Sequence, residues 1–101
     1  MPSDYIRLLR RMRDESVIRE ESFAARYRYV PDETALRFAR RWRQALSAEP
    51  LDWNELASIR KGALECQMRA DISFYSFIGD IERDYVALRR AELELGGTLN
   101  L

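Results

Sequence analysis

Residues 31–50 read PDETALRFARRWRQALSAEP, and this stretch decides the fold class. Pro31 holds the preceding residue in an extended conformation and suits the first turn of a helix. Asp32 and Glu33 place negative charge at the N-terminal end, where the helix dipole favours it. The non-polar residues then recur at intervals of three and four, which places them on one helical face: Ala35, Phe38, Ala39, Trp42, Ala45 and Leu46. The pattern predicts an amphipathic helix that buries this face.

The N-terminal segment carries a similar pattern. Ser3 or Asp4 can cap a helix, and the non-polar side chains that follow share one face: Tyr5, Leu8, Leu9 and Met12. The polar run at residues 13–16 predicts a break in this helix. A weaker helical stripe over residues 17–29 predicts a second helix beyond the break.

The C-terminal half begins with a clear helix start at Asp52. Its carboxylate suits the N-cap position, and Glu55, three residues later, completes the pattern of a capping box. Non-polar residues then follow the spacing of a heptad seam: Leu56, Ile59, Ala63, Cys66 and Ala70, continued with small phase shifts by Phe74, Phe77, Ile81, Tyr85 and Leu88. The seam predicts that one side of this half of the chain packs against other helices.

The seam is too long to be one helix in a compact chain. A single helix over residues 53–95 would measure about 64 Å at 1.5 Å per residue. We therefore expect a break near Ala70 and Asp71, where Asp71 can cap a new helix. Gly62 and Gly79 are weaker candidates for the break.

The last segments complete the fold prediction. Residues 72–78 are rich in aromatic and β-branched side chains, but no second run of this kind could pair with them as a strand, so helix is favoured. Gly96 and Gly97 predict the end of the last helix. The sequence therefore predicts an all-α fold: a small bundle of four to five helices with long C-terminal helices. It forms a single helical domain over residues 1–97 and a short C-terminal tail at 98–101.

The composition excludes most enzyme and metal chemistry. The 101 residues include 16 arginines, one lysine and 17 acidic residues, so the formal net charge is zero, and they include one cysteine and no histidine. This leaves no Ser–His or Cys–His nucleophile, no zinc finger and no Glu-x-x-His di-iron motif. Cys66 lies on the non-polar seam, where packing is favoured over reactivity. The acidic run 80–84 lacks the Gly and Glu that an EF-hand requires later in its loop. We predict that the chain is not an enzyme and holds no metal, no cofactor and no small-molecule substrate.

The sequence shows no targeting or membrane signal. Residues 1–5 have neither an apolar core nor a secretory cleavage site. The longest uncharged stretch, residues 72–79, is far shorter than the roughly 20 residues of a membrane span. One free cysteine fits a reducing compartment. We expect a cytoplasmic protein without a membrane partner.

Arginines form the most informative surface pattern. Two predicted helices each carry three arginines opposite the non-polar stripe: Arg7, Arg10 and Arg11 on the N-terminal helix, and Arg37, Arg40 and Arg41 on the helix that follows Pro31. Charge is also segregated along the chain. Residues 1–13 carry +3 (four arginines, one aspartate), residues 26–43 carry +4 (six arginines, two acids), and residues 71–84 carry −3 (one arginine, four acids). The neutral total therefore conceals basic and acidic blocks.

These arginine faces have three interpretations. They can be solvated or paired within the chain, they can meet carboxylates of a partner protein, or they can bind nucleic-acid phosphates. The segment 26–29, Arg-Tyr-Arg-Tyr, adds rings that could stack on bases. A pI near 6.3 is low for a dedicated nucleic-acid binder.

Three aromatic side chains fall outside the predicted buried stripes and are candidate interface anchors: Trp53, Tyr75 and Tyr29. Trp53, in the first turn after Asp52, could instead cover the end of its helix.

The favoured function is a non-catalytic helical protein–protein interaction module, acting as an adaptor, a regulator or inhibitor, or an assembly subunit. It could self-associate along its C-terminal seam. The alternative is a small nucleic-acid-binding subunit that uses the arginine faces. The identity of the partner, the oligomeric state and the direction of any regulation stay open.

Overall fold

The structure is a computed structural model that describes the backbone of residues 2–99 and the side chains of residues 4–95. Residues 2–99 form four α-helices with one 3₁₀ turn before the last: α1 (Pro2–Arg26), α2 (Glu33–Ser47), α3 (Trp53–Glu65), the 3₁₀ turn (Gln67–Arg69) and α4 (Ile72–Leu99). No strand occurs between residues 2 and 99. The predicted all-α bundle with a long C-terminal helix is confirmed.

The helices close into a ring around one core. Both α1 and α3 pack against α2 and against α4. The direction of α1 relative to α4 follows from three ion pairs, Arg26 with Asp71, Arg19 with Asp80 and Arg11 with Asp84. Residue numbers fall along α1 as they rise along α4, so these two helices are antiparallel. The α1–α2 and α3–α4 connections therefore lie at the same end of a bundle with extents of 52 × 23 × 19 Å.

The predicted face of α2 forms the centre of the core. Its buried residues are Ala35, Leu36, Ala39, Trp42, Ala45 and Leu46. Phe38 is only partly buried, and its ring lies 6.0 Å from that of Phe74 at the start of α4. Each large non-polar side chain that is fully buried contributes about 1.5–3 kcal/mol relative to exposure. The spacing that predicted this helix therefore also marks what holds the bundle together.

The heptad seam lies inside the bundle. Leu56, Ile59 and Ala63 are fully buried, and Cys66 and Ala70 pack against the same core. The seam on which we based self-association is thus covered by the chain's own helices. A second copy could dock there only if the bundle opened.

The predicted break at residues 13–16 is absent, because α1 is one continuous helix. The buried Ser16 donates its hydroxyl hydrogen to the carbonyl of Arg13 at 2.7 Å, so its polar group is satisfied within the helix. Arg13 in turn donates from Nε to the carbonyl of Leu46 at 2.6 Å, near the end of α2. The buried side of α1 therefore contains polar positions. These interrupt the non-polar repeat in the sequence, although the helix itself is continuous.

Aspartates begin α3 and α4 as predicted. The Asp52 carboxylate accepts a hydrogen bond from the Glu55 N–H at 3.1 Å, and the Asp71 carboxylate accepts one from the Phe74 N–H at 2.9 Å. The predicted break between the two helices is therefore confirmed. The capping box at Asp52 is incomplete, because the Glu55 carboxylate accepts from Arg41 instead, at 2.8 Å.

The starts of α1 and α2 differ slightly from the prediction. Helix α1 begins at Pro2, before the expected caps at Ser3 or Asp4. Pro31 precedes α2 rather than joining its first turn, because Asp32 is the N-cap and accepts from the Ala35 N–H at 3.1 Å.

The end of α4 also differs from the prediction that Gly96 and Gly97 end the helix. The helix continues through Gly96 and Gly97 to Leu99. Glycine weakens a helix by about 1 kcal/mol relative to alanine but does not by itself end it. Residues 98 and 99 of the expected tail are thus helical, and residues 100–101 lie outside the described residues.

Candidate interaction surface

The predicted arginine face of α2 is tied to carboxylates of the same chain. The pairs are Arg37 with Glu33 at 3.9 Å, Arg40 with Glu20 at 3.9 Å and Arg41 with Glu55 at 2.8 Å. Arg37 and Arg40 are exposed and their pairs are long, so each contributes little to stability. Arg41 is held more firmly, since its guanidinium also lies 5.7 Å from the Phe38 ring centroid.

The predicted arginine face of α1 is divided. Arg11 reaches Glu15 on its own helix at 3.1 Å and Asp84 of α4 at 3.5 Å. Arg7 and Arg10 are exposed. Neither has an ion pair with any residue whose side chain is described. This end of α1 therefore keeps two guanidinium groups available to solvent or to a partner.

The two arginine faces do not join. Arg40 of α2 reaches Glu20 of α1. Ten residues of α1, about 15 Å at 1.5 Å per residue, separate Glu20 from Arg10. The fold therefore does not assemble the six arginines into one phosphate-binding patch.

Trp53 is partly buried and packs on the core. The Arg89 guanidinium lies 4.7 Å from the centroid of its ring, and the Tyr85 ring meets it edge-on at a centroid distance of 5.7 Å. Its side chain covers the start of α3 against α4, which is the packing role that the sequence left open.

The two tyrosine anchors are exposed. Tyr29, in the α1–α2 connection, is 85% exposed, and Tyr75, on α4, is about half exposed. Tyr29 lies at the same end of the bundle as the start of α4, because Arg26 pairs with Asp71 there. Their role as anchors stays a prediction.

The sequence prediction missed non-polar side chains at the start of α4 and along its outer side. Met68, in the 3₁₀ turn, is 96% exposed and Ile72 is 90% exposed. Val86 and Leu93 are also exposed, farther along α4. Exposed non-polar groups collected on one element are typical of an interaction surface.

Helix α4 carries two non-polar stripes, and the second could have been found in the sequence. The inner stripe is buried in the core: Phe74, Phe77, Ile78, Ile81 and Leu88. The outer stripe recurs every seven residues: Ile72, Gly79, Val86 and Leu93. Periodicity does not tell which of two stripes faces the core, so only the packing of the chain separates them. We define the α4 outer face as Ile72, Tyr75, Gly79, Val86, Arg90 and Leu93.

Gly79 lies in the middle of this face, and no described residue packs where its side chain would lie. A Cβ added there would meet no heavy atom within 4 Å. Gly62 differs, since an added Cβ would lie 3.1 Å from the Phe38 ring. Glycine inside a helix is less favourable than alanine by about 1 kcal/mol. The packing of the single chain therefore gives a reason for Gly62 and none for Gly79.

The C-terminal part of the α4 outer face borders a shallow groove. Val86, Arg90 and Leu93 line it together with Arg60 and Tyr85, and its volume is about 470 Å³. The Arg60 guanidinium covers the Tyr85 ring at 5.1 Å. Arg90 is exposed and, among the residues with described side chains, has no ion pair. The groove thus combines non-polar surface with an unpaired positive charge.

Charged side chains flank the face on both sides. Arg60 donates to Glu82 through two nitrogens, at 2.5 and 2.7 Å. This hydrogen bonding lowers the pKa of the Glu82 carboxyl and raises the pKa of Arg60. On the other side, Arg83 lies 3.5 Å from Asp80 and 3.3 Å from Asp84. The Arg83 pKa is raised, first by its hydrogen bond to Asp84.

A second cavity, of about 380 Å³, lies between α1 and α4. Its lining includes the two buried polar residues, Ser16 and Asp84. The charged groups here pair across the helices, Arg19 with Asp80 and Arg11 with Asp84. In the part of the chain with described side chains, no three acidic or thiol groups come together as metal ligands. The charged residues that line this cavity therefore contribute to the packing of α1 against α4.

Comparison of this chain with known proteins does not place it in a family. Within the described residues, no helix is long and apolar enough to cross a membrane. No protein-family model, curated protein or solved structure matches the chain.

Proposed function

We propose that this chain is a non-catalytic helical protein–protein interaction module, acting as an adaptor, regulator or assembly subunit, and that it binds through the α4 outer face. One observation carries the proposal. Exposed non-polar positions recur every seven residues along a helix whose opposite side already fills the core.

Burial of this row by a partner would supply the binding energy. A large aliphatic side chain that passes from water into a packed contact contributes about 1.5–3 kcal/mol. Ile72, Val86 and Leu93 are the aliphatic members of the face that stand exposed in the single chain. Tyr75 and Arg90 add the two residue types that, with Trp, most often dominate interfaces.

The pattern of ion pairs also favours a protein partner over a nucleic acid. Most of the arginines that the sequence singled out face a carboxylate of the same chain. To bind a phosphate, Arg11 or Arg41 would have to exchange a close carboxylate for another anion, which reduces the gain. A non-polar face needs no such exchange.

Affinity capture from the source cell tests the proposal. The tagged chain is compared with a face variant, Ile72→Ser/Leu93→Ser, and with a control, Ile18→Ser, which removes a side chain of α1 that is 65% exposed. All samples are treated with nuclease, and circular dichroism confirms equal helix content. We expect the wild type and the control to retain the same protein and the face variant to lose it. Equal recovery by all three would reject the proposal. So would the absence of any specific protein with the wild type, if the purified chain also fails to self-associate.

A nucleic-acid-binding subunit is the alternative function, and the exposed Arg7 and Arg10 favour it because neither is engaged in an ion pair with a described side chain. Binding to RNA and DNA at about 50 mM salt tests it, with Arg7→Glu/Arg10→Glu as the first variant and Arg37→Glu/Arg40→Glu as the second. Affinity that falls steeply with salt and is lost on charge reversal would establish it. No binding at this salt concentration would reject it.

A further inference from the structure

We propose that the partner of the α4 outer face is a second copy of this chain, with the two α4 helices antiparallel around a two-fold axis near residues 82–83. This rests on the proposed function and names its partner. In a two-fold interface the same surface of both copies is used, so each residue meets a different residue of that surface. The face must therefore be complementary to itself.

Non-polar residues face non-polar residues in this arrangement. Residue numbers rise along one copy and fall along the other, so Ile72 lies opposite Leu93 of the second copy at both ends of the contact. These side chains are 90% and 61% exposed in the single chain. They lie about 32 Å apart along α4 at 1.5 Å per residue, so both contacts form only if the helices run side by side over most of their length.

Glycine faces valine nearer the axis. Gly79 lies opposite Val86 of the second copy, and the two-fold axis repeats this contact. Among the described residues, no atom occupies the space that a Gly79 side chain would take. Glycine permits close approach, and the exposed Val86 is a compact, stiff side chain that can enter the space. The contact gives Gly79 the packing role that the single chain lacks.

The charged residues select the antiparallel direction. Arg90 lies opposite the Tyr75 ring of the second copy, which suits a cation–π contact. Closest to the axis, Glu82 lies opposite Arg83 of the second copy, but both are paired within their own chain, so this contact avoids repulsion and adds little attraction. A parallel pair would instead place Arg83 beside Arg83 and Arg90 beside Arg90, which is repulsive. Because Arg90, which has no ion pair with a described side chain, finds an aromatic ring on the same face, we choose a second copy over an unrelated protein.

The contact uses one helix from each copy, so it is smaller than a standard interface of roughly 800 Å² per partner. We expect a reversible dimer with a dissociation constant of about 1–100 μM, which corresponds to a modest binding free energy. The fraction of dimer therefore changes with protein concentration in this range, and sedimentation can measure that change.

Sedimentation equilibrium of the full chain, from about 1 to about 500 μM, tests the pairing across the expected range of affinity. Gly79→Leu fills the central space, and Arg90→Glu reverses a charge that has no ion pair with a described side chain. Ala25→Leu adds the same side chain to an exposed position of α1 and is the control. We expect association of the wild type and the control, and at least a tenfold weaker association of both face variants at unchanged helix content. A monomer over the whole range, or a dimer that Gly79→Leu leaves intact, would overturn the proposal.

Cross-linking tests the direction and register. In a chain with Cys66→Ser, the two side chains of Gly79→Cys/Val86→Cys are about 10.5 Å apart within one helix, too far for a disulfide, but lie opposite each other in the proposed dimer. Mild oxidation should give a dimer joined by disulfides between position 79 and position 86. Cysteines at positions 18 and 25 of α1, also exposed and seven residues apart, are the matched control and should not give one. Cross-linking that is equal in both chains would contradict the register.

The pairing and the proposed function fail in different ways. If the chain stays monomeric but captures another protein through the α4 outer face, the second copy is wrong as the partner and the interaction function stands. If neither association nor face-dependent capture occurs, both are wrong.

Discussion

The same substitution, glycine to alanine, should stabilise the chain at Gly79 and fail to stabilise it at Gly62. At Gly79 an added Cβ has open space, whereas at Gly62 it would lie 3.1 Å from Cζ and 3.2 Å from Cε1 of Phe38. The Phe38 ring cannot easily move away, because the Phe74 ring lies 6.0 Å from it and the Arg41 guanidinium lies 5.7 Å from its centroid. Alanine therefore gains helix propensity at both positions but meets crowding at only one.

The sizes of the helix-propensity gain and the crowding cost determine whether each substitution stabilises or destabilises the chain. Alanine is favoured over glycine inside a helix by about 0.5–1 kcal/mol. Gly79→Ala should realise this gain, and the melting temperature of a domain of this size should rise by about 2–8 °C. Overpacking of a well-filled site costs about 1–3 kcal/mol, so Gly62→Ala should be neutral or destabilising by up to about 2 kcal/mol. The two variants should differ by at least about 1 kcal/mol in their free energies of unfolding.

Urea unfolding followed by circular dichroism measures both variants. The protein is kept near 1 μM, at or below the dissociation constant expected for the α4 pair, so that the free energy of unfolding refers mainly to the single chain. If Gly62→Ala stabilises the chain as much as Gly79→Ala, the Phe38 contact does not constrain α3. If Gly79→Ala destabilises the dilute protein, Gly79 has a role within its own chain and our reason for the dimer falls.

Further substitutions test the caps, the charges and the packing of the bundle. Asp71→Ala should lower the free energy of unfolding by about 1–2 kcal/mol because it removes the N-cap bond to the Phe74 N–H. Asp71→Ser can still cap and should lose less in urea unfolding. Glu82→Gln should reduce the loss of stability in acid. The Arg60 guanidinium lowers the pKa of Glu82 below its ordinary 4.5, so the stabilisation is present above that pH and is lost as the pH falls through the lowered value. The stability difference between wild type and Glu82→Gln should therefore shrink between about pH 7 and about pH 3, and a constant difference would contradict this cause. Trp53→Ala should cost about 2 kcal/mol in thermal unfolding and leave sedimentation unchanged, whereas lost association at unchanged stability would make Trp53 an interface anchor.

Sequence patterns were sufficient where non-polar spacing and capping residues agree. Helix α2 has both a complete non-polar face and a capping aspartate, Asp32. The break before α4 is marked by a single residue, Asp71, whose short side chain caps the next helix. In these places the local signal and the packing of the bundle have the same cause, since the face that packs is also the face that is non-polar.

The same patterns failed where a buried position is polar. Ser16 lies on the buried side of α1 and satisfies its hydroxyl with the Arg13 carbonyl three residues earlier. Arg19, one turn farther on, reaches Asp80 across the bundle and lies 5.4 Å from the Phe77 ring. A serine and an arginine at successive inward positions look like the end of a helix. Ser16 is satisfied within α1 and Arg19 is satisfied by Asp80 of α4, so both fit a continuous helix.

The candidate site was harder to predict than the fold for a related reason. Tyr75 was recognised because it lies off the buried stripe, but Ile72 and Leu93 look like ordinary core residues in the sequence. A helix with two non-polar stripes can turn either one inward, and the choice depends on which fits the neighbouring helices. Surface position is thus a property of the whole bundle.

The distribution of charge follows from the same packing and narrows the surfaces that can bind. Arginines of α1 lie against carboxylates at the start and in the first half of α4, where Arg26 pairs with Asp71 and Arg19 pairs with Asp80. Part of the cancellation of charge therefore occurs in ion pairs across an interface between helices, and these pairs are consistent with the antiparallel packing of α1 on α4. Because these charged groups already have a partner within the chain, they contribute little free energy to the binding of another molecule. On the other side of α4, Ile72, Val86 and Leu93 are exposed, and no described residue packs where a side chain at Gly79 would lie. That row is where a substitution should change binding without changing the fold.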